Sequence, residues 1–238
     1  MQHGRIPLVS CIMPTRDRRH FAVQAVKYFL SQGYPNRELI VVDDGADQIA
    51  DLVASLAAVR YLQPRLRMSV GAKRNLACAA ASGSLIMHWD DDDWMAPWRI
   101  EYQVRALLDQ RVQVCGLRKL VHLDPVRQLS WIYTYPTATR PWIAGGTFCY
   151  RKSLWERSPF PDVNVGEDTA FLWRGRPGRV LAMPNSSFYV AVLHPGNTSP
   201  KHTGDPWWRS IDPEPVVERM GKDWTFYAEL PTLLMGPQ

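Results

Sequence analysis

The spacing of the apolar runs constrains this chain more than any other feature. Residues 8–13, Leu-Val-Ser-Cys-Ile-Met, form a strand-length run that Pro14 ends. A helical pattern follows through Phe21, Ala25, Val26, Phe29 and Leu30, and Gly33 and Pro35 stop it. Residues 39–42 read as a second strand, closed by Asp43-Asp44-Gly45. A helical pattern through Ile49, Leu52, Val53 and Leu56 precedes a short strand at 59–62. A further helix is predicted over about 72–81, leading into a strand over 84–89. The first two strands start about 30 residues apart, the length of a βαβ unit. The alternation predicts an α/β fold, with a mostly parallel central sheet and helices on both faces.

Ligands of such sheets bind outside the carboxyl ends of the strands. Three of the predicted ends are polar: Pro14-Thr15-Arg16, Asp43-Asp44-Gly45 and Asp90-Asp91-Asp92-Asp93. They are expected to converge on one edge. No G-x-G-x-x-G follows the first strand and no P-loop is present, which removes both common phosphate-binding loops.

The chain has 238 residues, 46% hydrophobic and 21% charged, which suits a packed domain and excludes a disordered, collagenous or coiled-coil chain. All ten tryptophans fall between Trp89 and Trp224. One domain over 1–238 is expected, with two functional halves at about 7–94 and about 95–238. No apolar run approaches the ~18 residues of a membrane span. No secretory leader is expected, because no small-residue cleavage site follows the short apolar run between Pro7 and Pro14. Cys11, Cys78, Cys115 and Cys149 form no C-x-x-C pair, so a zinc site is not expected. Cys11 and Cys115 lie in strand-like runs and read as reduced core thiols, which favours a cytoplasmic location. The net charge of +5 admits anionic partners, including a peripheral contact with a membrane face. No Lys/Arg block resembles a nucleic-acid tail, so no nucleic-acid partner is expected.

Four adjacent aspartates repel one another, by ~1 kcal/mol per pair at 4 Å even in bulk water. A hard divalent cation relieves that repulsion, and carboxylate ligands suit Mg²⁺ or Mn²⁺. The competing account is a helix N-terminus ahead of Pro97-Trp98-Arg99-Ile100, where acids favour the dipole. In Gly71-Ala72-Lys73-Arg74-Asn75, Lys73 and Arg74 open a helix and suit a diphosphate, or else form a solvated surface pair.

Pro14-Thr15, Asp43-Asp44-Gly45, Gly71 to Asn75, Asp90 to Asp93 and Gly166-Glu167-Asp168 stand in the order seen in family 2 glycosyltransferases. The resemblance covers roughly residues 7–175. It implies the GT-A fold, a nucleotide-sugar donor (UDP-sugar favoured) and a metal-assisted, usually inverting, sugar transfer with Mn²⁺ or Mg²⁺. Carried over by position, Pro14, Thr15 and Arg16 flank the base. Asp44, or else Asp43, receives the uracil edge. Lys73, Arg74 and Asn75 line the nucleotide pocket, Asp90 or Asp91 faces the ribose, and Asp92 holds the metal. The four-aspartate run leaves this register open by one residue.

Inversion needs one base for the attacking hydroxyl. The resemblance gives that role to Asp168 over Glu167, whereas acids in a first helical turn also serve the dipole. His194 follows a predicted strand at 187–193 and is a second candidate metal ligand, with His202 nearby; a structural histidine is the alternative. Gly145-Gly146 suit close approach of a sugar, or a plain loop. Trp142, Trp207 and Trp208 lie in proline-containing stretches and are candidate acceptor platforms. The loop near 195–210 is placed to close over the donor. A saccharide, a lipid-linked group or another hydroxyl compound is the expected acceptor. Two other readings remain: a retaining GT-A transferase, and a GT-A-like module that binds nucleotide or glycan without catalysis.

Overall fold

The computed structural model describes residues 6–136, 140–199 and 201–230. In chain order the first half runs β1 (Val9–Thr15), α1 (Arg19–Leu30), β2 (Arg37–Asp43), α2 (Ala50–Val53), β3 (Val59–Leu62), α3 (Val70–Ala80) and β4 (Leu85–His88). Then come β5 (Trp94–Met95), α4 (Arg99–Asp109), β6 (Val114–Gly116), β7 (Lys119–Asp124), β8 (Leu129–Thr134), β9 (Cys149–Arg151) and α5 (Lys152–Arg157). The chain continues through α6 (Glu167–Gly175), β10 (Val180–Ala182), β11 (Tyr189–Val192), β12 (Trp208–Ile211), α7 (Glu214–Met220) and α8 (Trp224–Ala228).

The main sheet has the order β10-β6-β9-β4-β1-β2-β3. β1 pairs parallel with both β2 and β4, and β2 pairs parallel with β3. Only β9 runs antiparallel, between β4 and β6. The period of two along each strand sorts the core into two layers. Ile12, Ile40, Val42 and Ile86 point to the face covered by Ala77 and Cys78 of α3, Leu154 of α5 and Phe171 of α6. Cys11, Met13, Leu39, Val41 and Met87 point to the other, against Phe21 and Phe29 of α1 and Ile100 and Leu107 of α4. Helices therefore cover both faces, as the alternation predicts.

A second sheet, β12-β8-β7-β11-β5, was not legible in the sequence. It carries the chain from the end of β4 around to the far wall of the site. The predicted elements of the first half are present with small shifts, except that the helix expected through Leu56 shortens to Ala50–Val53. Ser69 Oγ caps α3 by accepting from the Ala72 amide at 3.1 Å.

All four cysteines are buried and unbridged. Burial pushes the Cys11 and Cys78 thiols up. Cys115 and Cys149 are cross-strand partners on β6 and β9, and their contact together with burial pushes Cys115 well up. A thiol reagent at neutral pH should modify none of them in the native protein and all of them in denaturant, because the thiolate is the reactive form. Mass spectrometry after brief labelling checks this. Rapid native labelling of any one would show that its burial is not maintained.

Candidate active site

The carboxyl end of β4 delivers Asp90 to Asp93 into a cavity of about 920 Å³. β5 follows the aspartates before α4 begins at Arg99, so the run is not the first turn of a helix. That removes the helix-dipole account of these acids.

Asp91 Oδ2 accepts from the Thr15 hydroxyl at 2.7 Å, and its Oδ1 lies 3.0 Å from Arg18 Nη1. The same Arg18 nitrogen is 2.9 Å from Asp92 Oδ2. His194 Nε2 meets that oxygen at 3.0 Å and Asn197 Nδ2 donates to it at 3.2 Å. The Gly196 amide donates to His194 Nδ1, which leaves the ring proton on Nε2, facing Asp92. Asp93 accepts from the Tyr189 hydroxyl and from the Val192 amide. Burial and the neighbouring Asp92 push the Asp91 carboxyl up to about 6. Burial and Asp92 likewise push Asp93 well above the carboxylate range. Burial also works to raise Asp92, but the His194 hydrogen bond and the Arg18 charge hold it below its ordinary value.

Arg74 of α3 joins this group to the opposite wall. It reaches Asp90 Oδ1 at 3.1 Å and Glu167 Oε1 at 3.3 Å. Burial works against its charge, yet the two carboxylates raise its pKa. Its buried Nη1 has no hydrogen-bond partner among the described residues. Glu167 is buried and its carboxyl is raised, mainly by burial.

Gly166, with φ of 80°, turns the chain into α6, whose first turn holds Glu167 and Asp168. Acids at that end suit the helix dipole as well as the cavity they line. Asp168 Oδ1 accepts from the Thr169 amide at 2.6 Å. Its Oδ2 lies so close to Gly145 that a Cβ there would stand 1.7 Å away. A Cβ on Gly146 would stand 2.3 Å from Asp90 Oδ2. The diglycine turn thus lets Asp90 and Asp168 approach from either side. Arg99, fully buried, fixes that turn by donating to the Gly146 and His88 carbonyls at 2.9 and 2.8 Å. Its charge rests on the Tyr189 and Trp89 rings, 4.7 and 5.2 Å from their centroids.

The family model described as Glycosyl transferase family 2 matches residues 10–159, well over half of the chain. This chain belongs to glycosyl transferase family 2. WcaA of Escherichia coli (strain K12), a glycosyl transferase named for colanic acid biosynthesis, is 31% identical over 175 residues, 71% of this chain and 58% of WcaA. The glycosyltransferase EpsJ of Bacillus subtilis (strain 168) is 23% identical over 217 residues, 81% of this chain and 63% of EpsJ. The chain therefore spans less than two thirds of either relative. Among solved structures, TarS 1–349 of S. aureus in complex with UDP-GlcNAc superposes with a TM-score of 0.65 at 18% identity, covering 80% of this chain and 60% of that one. The mannosyltransferase PcManGT of Pyrobaculum calidifontis, in complex with GDP-Man and Mn²⁺, gives 0.62 at 20% identity, covering 80% and 57%. The fold is GT-A.

In this family 2 glycosyltransferase, Pro14, Thr15, Arg16, Lys73, Arg74, Asp90, Asp91, Asp92, Gly145, Gly146, Glu167, Asp168, Trp142 and Trp208 all line the one cavity. Lys73 and Arg74 are buried, so they are not a solvated surface pair. Five of the residues singled out in the sequence stand elsewhere. Asp43 is buried, held by the Gly45 amide at 2.9 Å and the Tyr61 hydroxyl at 2.7 Å. The Asp44 carboxylate is turned inward, against the Lys73 ammonium and the Met68 amide. Asn75 spends its amide on the Phe160 backbone and Trp155 Nε1, clamping the segment that leads to α6. Trp207 is 48% exposed and off the cavity. His194 sits behind Asp92 rather than on the wall. Trp208, expected in a loop, starts β12 and packs on Tyr133 and His122. Of the segment near 195–210, residues 196–199, Lys201, His202, Asp205 and Trp208 line the cavity, and Pro200 lies outside the described residues.

Three contributors escaped the sequence reading. Arg18 is hidden among neighbouring arginines, and only Arg16 was singled out. Asn197 follows a histidine in what reads as an ordinary turn. Tyr135, 5.5 Å from Trp142 between ring centroids, extends the aromatic wall beside Asp168. It directly follows β8, a strand that the sequence does not announce.

Proposed function

We propose that this chain catalyses metal-dependent, inverting transfer of a sugar from a nucleoside-diphosphate sugar, with UDP-sugar favoured, to a hydroxyl acceptor. One observation carries the reading. The acids after β4 and the acid pair opening α6 face one cavity, with the Gly145-Gly146 turn close to both Asp90 and Asp168. Residues 7–94 form the donor half and 95–238 the acceptor half in this reading.

Among the described residues no three acidic, histidine or cysteine side chains form a closed metal cage. Two do converge, Asp92 and His194. A carboxylate and an imidazole suit Mn²⁺ or Mg²⁺ when substrate phosphates and water complete the shell. To ligate through Nε2, His194 would take its other tautomer, with the proton on Nδ1 and the Gly196 amide bond given up. A bound cation would supply Lewis-acid neutralisation of the departing diphosphate. Arg74, whose Nη1 has no partner among the described residues, and Lys73, which donates to the Thr15 carbonyl at 2.8 Å, bring fixed positive charge to the same wall.

Asp168 takes the proton of the attacking acceptor hydroxyl. Arg74 holds Glu167 in an ion pair, which leaves Asp168 as the carboxylate free to do so. One base and a single displacement give inversion, with no covalent intermediate. Tyr135, Trp142 and Trp208 offer ring faces to a saccharide or lipid-linked acceptor. The unbridged thiols support a reducing, cytoplasmic setting, with peripheral membrane contact compatible with the net positive charge.

Melting in the presence of Mn²⁺ and a nucleoside diphosphate tests the donor site. Ligand at about 100 times its dissociation constant adds about 2.7 kcal/mol, which for a chain of this size raises Tm by roughly 5–11 °C. UDP should give the largest rise among UDP, GDP and dTDP. No rise with any of the three would sink the donor site.

A further inference from the structure

Arg18 stands where four carboxylates most need a cation. It lines the cavity, its side chain is 19% exposed, and one nitrogen contacts both Asp91 and Asp92. Its other terminal nitrogen donates to the Gly196 carbonyl. The guanidinium therefore ties the end of β4 to the turn that carries His194 and Asn197.

The adjoining helix does not account for it. Arg18 is the N-cap residue of α1 and makes no side-chain cap bond, and Arg19 and His20 follow. Cations at that end oppose the helix dipole. Asp92 Oδ2 accounts for it better: Arg18, His194 and Asn197 all aim a nitrogen at this one oxygen.

We propose that Arg18 is the resident cation of the donor site: it neutralises Asp91 and Asp92 and pins the 194–197 turn when no ligand is bound, and it competes with the divalent cation for Asp92. The inference rests on the metal reading above. A metal at Asp92 and a guanidinium 2.9 Å from the same oxygen repel each other, so metal binding turns Arg18 away and frees the Gly196 carbonyl. The displaced guanidinium then needs an anion, and the cavity it lines is where the diphosphate of the donor lies. Metal and nucleoside diphosphate consequently bind cooperatively, each strengthening the other by the same factor. Arg18 is a positioning residue in this account and touches no reacting atom before the donor arrives.

Calorimetric titration of Mn²⁺, with and without saturating UDP and in parallel GDP, tests the inference on wild type, R18M and R18K. Wild type should bind Mn²⁺ weakly alone, and at least about 10-fold more tightly with the nucleotide. R18M should bind Mn²⁺ alone about 10-fold more tightly than wild type, with a smaller gain from nucleotide. R18K, whose single ammonium cannot span both carboxylates and Gly196, should fall between. Melting adds a readout that a merely structural arginine would not move: R18M should lose Tm without metal and recover it with Mn²⁺. Equal loss of Tm with and without Mn²⁺, or unchanged or weaker Mn²⁺ binding by R18M and R18K, overturns the inference while leaving the metal site in place. Failure of wild type to bind Mn²⁺ under either condition overturns the metal reading itself, and the inference with it.

Discussion

Asp168→Asn should lower turnover by about 10²–10⁴-fold, the range for one positioned proton acceptor. The asparagine keeps the side-chain shape and can still accept from the Thr169 amide, so the start of α6 should survive. Donor affinity should stay near wild type, because Asp168 lies across the diglycine turn from the aspartate cluster. A purely helix-starting aspartate behaves differently. Its loss lowers stability by about 0.5–2 kcal/mol and leaves turnover nearly intact. Turnover, nucleotide binding and melting measured on the one variant separate the two roles. A less stable Asp168→Asn protein with near wild-type turnover would remove the base from this position.

Gly145→Ala should be almost as damaging, although alanine carries no charge and Gly145 takes no part in the chemistry. Its Cβ would stand 1.7 Å from Asp168 Oδ2 and 2.6 Å from Asp168 Cβ. A rotamer change clears the first contact but not the second, so α6 must shift with the base. A displacement of about 1 Å at a reacting group costs about 10²-fold in rate. Strain of this kind costs about 1–3 kcal/mol in stability. Gly33→Ala is the control, since the nearest non-neighbouring atom to its Cβ would be the Pro97 carbonyl at 3.9 Å. Steady-state rates on both variants check the argument. A Gly145→Ala enzyme that turns over like Gly33→Ala would mean that Asp168 does not need its observed place.

The parallel half of the fold was legible because its strands are apolar on both faces and end in polar clusters. Ile12 and Met13, neighbours on β1, serve opposite core layers, and that pattern survives without any tertiary information. Nothing in Cys149-Tyr150-Arg151 announces that β9 runs antiparallel between two parallel neighbours. The second sheet was hidden for another reason. β11 reads as a strand, but β8 and β12 are aromatic and half polar, and nothing in their pattern says that they join β7 and β11 in a sheet of their own. In the site, sequence order located the acids and the diglycine turn. It could not orient them. Asp43, Asp44 and Asn75 turn inward because their partners, Tyr61, Lys73 and Phe160, are brought up by distant elements. Arg18 was lost in a basic run where composition alone does not say which charge meets the carboxylates.

The proposed function is a metal-dependent sugar transfer carried out between Asp92 and Asp168. Release of free nucleotide from a panel of UDP-, GDP- and dTDP-sugars, with and without Mn²⁺, tests it most directly. Wild type should release nucleotide from at least one donor, most readily a UDP-sugar. Chelation of the metal should abolish the release, and so should Asp92→Ala, which also weakens metal-dependent donor binding. Release that persists undiminished after chelation, or in Asp92→Ala, would contradict the account.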